Sequence, residues 1–202
     1  MKVAIVVNSS WATYNFRLNL AKSIQNDGNE VIIIMPFDGI YSKKIQQSFE
    51  CYDLNINAKS TNLFVDLKTL TNLFLIYRKI KPDIVCHFTI KLNIYGSIAA
   101  RFCKIPNIAN ITGLGTVFIN KSLVTLFVKQ LYKFALVFSS KTFFQNKEDL
   151  DYFLDKQLIA RSKTALLPGS GVDLDKFKYS PVLKIEGKFK FLMISRLIKD
   201  KG

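Results

Sequence analysis

Histidine is almost absent from this 202-residue sequence, with His87 its only instance. A single imidazole with no cluster of carboxylates beside it argues against a metal centre. Cysteine is scarce and odd in number: Cys51, Cys86 and Cys103 show no C-x-x-C spacing, which argues against a zinc site or a disulfide framework and fits a reducing, cytosolic compartment. Long hydrophobic runs are missing too, because Lys or Arg interrupts every apolar stretch before the roughly 18 to 20 residues that a membrane span needs. The opening MKVAIVVNSSW has a basic residue and a short apolar run but no small-residue cleavage pattern, so it reads as a buried first strand rather than a signal peptide. There is no internal repeat and no low-complexity tract. The first loop, NSSWATYNF, lacks the G-x-G-x-x-G that lets a dinucleotide approach a helix, which argues against a nicotinamide or flavin site.

Negative charge is also in short supply. Fifteen acidic residues face 29 basic ones, a net charge of +14 that must attract something anionic or be carried as self-repulsion. Residues 1–60 contribute only +1, while 61–110 carry +5, 111–150 carry +3 and 151–202 carry +5. A nucleic-acid partner is not expected: the lysines are spread over helices and loops and match no RNP, helix-turn-helix or zinc-finger pattern.

What is present is a core. Hydrophobic residues make up 49% of the chain, enough for one domain and a remainder. β-branched and apolar runs at Lys2–Val7, Val31–Met35, Cys51–Ile56, Ile84–Phe88, Asn107–Ile111, Thr142–Gln145 and Ala165–Leu167 predict seven strands. Helical faces fall between them: one through Phe16, Leu20 and Ile24 ending at Gly28, then Lys43–Phe49, Leu67–Ile80, Ile94–Cys103, Leu123–Phe138 and Lys147–Leu158. This alternation predicts an α/β fold with a doubly wound parallel sheet of Rossmann-like type. A further strand is expected within FKFLMIS, residues 189–195. The expected organisation is a Rossmann-like domain over 1–168, a linker over 169–188, and over 189–202 the first strand of a second domain whose body is absent.

In such sheets ligands bind beyond the carboxyl ends of the strands. Asn8, Ser9, Ser10 and Trp11 follow the first strand; the polar three serve either as caps or as ligands, and Trp11 either stacks on a sugar or lipid or fills an apolar gap. His87 ends the fourth strand and is a candidate general acid or base, or a strand-end histidine whose bonds are satisfied. Thr89, Lys91 and Asn93 precede a helix whose first amides, with Lys91, would favour an anion. Thr112, Gly113, Gly115 and Thr116 follow the fifth strand, where glycines allow close backbone approach, and Asn146 follows the sixth. The segment 121–141 is either a core helix with a solvated basic edge or a helix resting on an anionic membrane surface.

Taken in order, HFTIKLNIYGSIAARFCKIPNIANITGLGTVF, KTFFQNKEDLDYF, LLPGSGVDLDKF and FLMISRLIKDKG resemble the family 4 glycosyltransferases of the GT-B fold, in particular the bacterial branch that builds O-antigen, capsule or other glycans on undecaprenyl diphosphate. The resemblance implies an acceptor-side N-terminal domain facing a donor-binding domain across a cleft. It implies a nucleotide-sugar donor as substrate, a lipid-linked saccharide acceptor, no cofactor, no metal, and a cytoplasmic, peripheral place on the inner membrane face. Arg196 and Lys201 match the pair that binds the donor diphosphate, where two cations offset the charge of the leaving group. Gly169, Ser170, Gly171 and Asp173 match the crossing between domains. Two departures stand out. Thr112-Gly113 occupies the place where many members carry a histidine, and the family's E-x7-E element would lie beyond Gly202, so the chain alone is expected to be inactive. A different reading is a non-catalytic Rossmann-like module that binds an anionic lipid-linked ligand or a partner protein.

Overall fold

A strand that is buried on both faces must be apolar at consecutive positions, and β1 (Lys2–Val6) is: Ala4, Ile5 and Val6 have no solvent exposure. The computed structural model describes residues 1–58, 60, 62–115, 118, 123–181, 187 and 191–195. β1 is flanked in parallel by β2 (Glu30–Met35) on one side and β4 (Ile84–Phe88) on the other. With β3 (Glu50–Asp53), β5 (Asn107–Ile111), β6 (Lys141–Phe144) and β7 (Thr164–Leu166), they form one seven-stranded sheet in the order β3-β2-β1-β4-β5-β6-β7, every pairing parallel. The doubly wound α/β sheet expected from the sequence is the fold. Strand order reverses between β1 and β4, so the two chain halves diverge there and leave a crevice at the carboxyl ends.

Alternation along each strand divides the core. Ala4, Val6, Ile32, Ile34 and Val85 pack with α4 (Leu63–Ile80) and α5 (Ser97–Phe102). On the opposite face Ile5, Val7, Ile33 and Met35 pack with residues of α1 (Ser10–Phe16), α2 (Leu18–Asn26) and α3 (Ile40–Gln46). A third cluster joins Ala109, Ile111 and Phe144 to Tyr132 of α6 (Leu123–Leu136) and Phe153 of α7 (Lys147–Asp155).

Four local features differ from the sequence expectation. The first helix is two helices, broken at Arg17, whose guanidinium turns inward and lies 4.2 Å above the ring of Phe88. α4 starts four residues earlier than Leu67, because Asn62 accepts a hydrogen bond from the Phe64 amide at 2.9 Å and caps it. The helix after β4 begins at Ile90, passes through a π turn over Leu92–Gly96 and continues as α5. Within the expected strand at 189–195, the described residues 191–195 carry no strand, and Phe191, Leu192, Met193 and Ile194 are exposed. Contact density separates Met1–Gly171 from Val172–Gly202 as two units. In the second, Asp173 closes a turn by accepting from the amides of Asp175 and Lys176.

Candidate functional site at the carboxyl rim of the sheet

Parallel strands deliver every post-strand loop to one rim, and at the β1/β4 crevice three of those loops meet. Asn8 from the β1 loop, Ile56 and Ala58 from the stretch after β3, and Thr89, Ile90 and Lys91 after β4 line a small cavity of about 140 Å³. Thr89 is its unusual member. Its φ of 78° lies in the left-handed region, where a β-branched side chain is strained. Its Oγ1 is buried without a hydrogen-bond partner among the described residues. Its carbonyl accepts from the Asn93 amide at 2.9 Å, an α-type bond just ahead of the π turn, so the amides ahead of Asn93 precede the first bond within the helix. Strain and an unmet hydroxyl in a rim crevice mark a position held for a ligand.

Lys91 does not stand free to meet an anion. Its ammonium reaches α4, donating to Asp66 Oδ1 at 2.5 Å and to the Asn57 carbonyl at 2.8 Å. The Tyr95 hydroxyl donates to the other oxygen of Asp66 at 2.9 Å, and burial, then this bond, pushes the phenol's pKa up. An ammonium has three donors, so this ion pair leaves one for a ligand. The Lys91–Asp66–Tyr95 cluster borders a second, larger cavity of about 430 Å³ between the start of α4, the π turn and α6. Asp66 and Tyr95 escape a reading of the sequence because the carboxylate lies 25 residues before its lysine. The only local signal is an acidic residue in the first turn of α4, which reads as a helix-dipole partner.

His87 is not a rim residue. It has no solvent exposure, its Nε2 lies 2.8 Å from the buried Tyr77 hydroxyl, and Nδ1 has no partner among the described residues. Burial pushes its pKa down to about 3, so the ring is neutral and packed, not an acid or base for a solvent-facing reaction. The π turn lies against it: a Cβ on Gly96 would fall 2.4 Å from His87 Cδ2. Asn93 is likewise in the core, donating to the Asn110 carbonyl at 2.8 Å and accepting from the Asn110 amide at 3.1 Å, which ties the π turn to β5.

The remaining positions sort as follows. Ser9 caps α1 by accepting from the Ala12 amide at 3.1 Å, and the buried Ser10 donates its amide to Asp38 at 3.1 Å. Trp11 is half exposed on α1, edge-on to Phe16 at 5.4 Å, and lines neither cavity. Thr112 is half-buried, and Gly115, with φ 67°, passes close enough to Ile90 that a Cβ would meet it at 3.3 Å. Asn146 caps α7 by accepting from the Asp149 amide at 2.7 Å. Gly169 and Gly171 have φ of 101° and 74°, and Ser170 between them accepts from Gln145 at 2.8 Å. Thr116, Arg196 and Lys201 lie outside the described residues. One cation missed by sequence reasoning is Arg17, buried against Phe88 just before Thr89, with burial pushing its pKa down to about 10.

An all-parallel sheet with its crevice between the first and fourth strands, bordered by post-strand loops, defines a Rossmann-like layer. Two curated relatives align with it. One is the Campylobacter jejuni N,N'-diacetylbacillosaminyl-diphospho-undecaprenol alpha-1,3-N-acetylgalactosaminyltransferase, 25% identical over 218 aligned positions, covering all of this chain and 58% of the relative. The other is the Escherichia coli UDP-Gal:alpha-D-GlcNAc-diphosphoundecaprenol alpha-1,3-galactosyltransferase, 26% identical over 191 positions, covering 89% of this chain and 49% of the relative. Among solved structures, a glycosyltransferase from Rickettsia africae shares the fold with a TM-score of 0.65 at 19% identity, covering 88% of this chain and 45% of that one. Staphylococcus aureus MnaA with UDP does so with a TM-score of 0.64 at 18% identity, covering 92% and 49%. Residues 2–146 match the family described as "Glycosyl transferase 4-like", and the chain belongs to that family. It spans about half the length of the curated relatives it matches.

Proposed function

We propose that this chain is the acceptor-side domain of a retaining, metal-independent glycosyltransferase that moves a sugar from a nucleotide sugar to a saccharide on undecaprenyl diphosphate, in bacterial surface-glycan assembly. The observation that carries the reading is the strained Thr89 with its unmet hydroxyl, in a crevice bordered by the amides that open the π turn: an anionic, hydroxyl-rich acceptor supplies the partners that this crevice lacks. Both curated relatives are named for diphospho-undecaprenol acceptors, which supports the same chemistry. Arg196 and Lys201 would hold the donor diphosphate, and a donor phosphate oxygen would take the acceptor proton, so that no protein base is required.

The site of action is proposed to be the inner face of the cell membrane. Among the described residues no helix is long and apolar enough to cross a membrane. α6 nevertheless turns Leu123, Leu126, Phe127 and Phe134 outward, Val137 follows directly after it, and α4 adds Leu63, Phe64 and Leu67. Such a surface, with Lys129 and Lys133 alongside, suits contact with an anionic bilayer better than bulk water does.

The test is sugar transfer, read as label moved from UDP-, GDP- or dTDP-sugars onto an undecaprenyl-diphosphate saccharide. A protein of the relatives' length that contains this chain is expected to give product with retained anomeric configuration, and Arg196→Ala or Lys201→Ala to lower the rate at least tenfold while leaving the melting temperature unchanged. The 202-residue chain alone is expected to give none. Failure of the longer protein with every donor, with acceptor binding intact, would make this a binding module instead.

A further inference from the structure

The larger rim cavity has walls unlike those of the crevice beside it. Val128 and Leu131 of α6, with Ile90 and Ile94 from the π-turn region, form an apolar floor; Leu63 and Phe127 rise on either side. Its volume of about 430 Å³ lies within the roughly 300 to 1,000 Å³ of small-ligand sites. Polar groups are confined to Ser60 and the Lys91–Asp66–Tyr95 cluster. Ala58, Ile90 and Lys91 line both cavities, so the apolar groove and the polar crevice of Asn8 and Thr89 share a border. A ligand that fits across them has a hydrocarbon tail joined directly to an anionic head.

We infer that the groove between α4 and α6 is a binding site for the first isoprene units of the lipid carrier, lifted out of the bilayer so that the diphosphate reaches the crevice at Thr89 and the third donor of Lys91. This rests on the proposed acceptor chemistry and adds to it a protein-bound tail segment. The chemistry fits: most of the groove lining is apolar, and the anionic head lies toward the lysine that both cavities share and the amides ahead of Asn93. Leu63, Leu123 and Val124, exposed on the groove's own wall, let a chain pass from bilayer to groove without crossing water.

Isothermal titration of the 202-residue chain with water-soluble isoprenyl diphosphates of five, ten, fifteen and twenty carbons, below their micellar concentrations, tests this, with inorganic diphosphate as the head-only probe. Affinity is expected to rise at least tenfold per added isoprene unit and then to level off once the groove is filled, because each buried methylene adds to binding only while groove remains. Val128→Trp, which fills the groove, and Leu63→Lys, at an exposed position on its wall, are expected to abolish the dependence on chain length while inorganic diphosphate binds as before. Phe64→Ser, 84% exposed and outside the groove lining, is expected to leave the length dependence intact. No length dependence, an increase without a plateau, equal loss in Phe64→Ser, or a concentration-dependent dimer that competes with the ligand would each overturn the inference. Loss of sugar transfer with the length dependence retained would count against the enzyme reading alone.

Discussion

His87 shows how a residue type can point to chemistry while its position points to stability. In the unfolded chain its imidazole ionises near the ordinary 6.5; in the fold, burial holds it neutral down to about 3. Between those values the unfolded state binds a proton that the folded state does not, so stability falls as the pH drops through this window, and His87 contributes no pH dependence above it. Denaturant unfolding of wild type and His87→Gln between pH 3 and 8 reads this as a difference: the two slopes should separate below about pH 6.5, and parallel slopes would place the imidazole in water. Thr89 is the opposite case. An ordinary loop threonine by sequence, it becomes informative only through its backbone angle and unmet hydroxyl, neither of which composition or spacing encodes.

Elements were legible where their cause is local. All seven strands of the sheet lie within a residue or two of their apolar runs, except β3, which starts and ends earlier because an edge strand pairs only as far as β2 extends beside it. The break at Arg17 was not legible: it depends on Phe88, 71 positions away, offering a ring for the guanidinium, while the local pattern of apolar residues continues through it. The π turn has the same origin, since Asn93 is held by Asn110 on β5. α6 was read with two outcomes open. Tyr132, Ala135 and Leu136 do face the core, but the outward side is apolar rather than a simple basic edge. If that side meets a bilayer, Leu126→Ser with Phe134→Ser should reduce sedimentation of the chain with anionic vesicles several-fold at unchanged melting temperature. Sedimentation should also weaken as salt rises from 0.05 to 0.5 M, roughly the range over which screening shortens from above 10 Å to below 5 Å.

At the scale of the whole molecule, the parallel, doubly wound sheet was implied by alternation, but alternation is compatible with several strand orders, and the crevice between β1 and β4 follows from the order the chain adopts. The contents of the crevice were only partly implied. Asn8, Thr89 and Lys91 come together at the rim, but Asn93 and His87 point away into the core, and Asp66, which holds Lys91, comes from a helix where an acidic first-turn residue reads only as a dipole partner. One consequence concerns inheritance rather than mechanics. Because the imidazole of His87 occupies the space where a side chain at position 96 would begin, the two positions cannot drift independently. Gly96→Ala alone should cost about 1 to 3 kcal/mol through overpacking, His87→Ala alone a similar amount or more through the cavity it leaves, and the double substitution less than their sum. A double-mutant cycle reads that coupling, and additive costs would show the ring free to move aside. In related chains, a residue larger than glycine at the equivalent of 96 should then occur only alongside something smaller than histidine at 87.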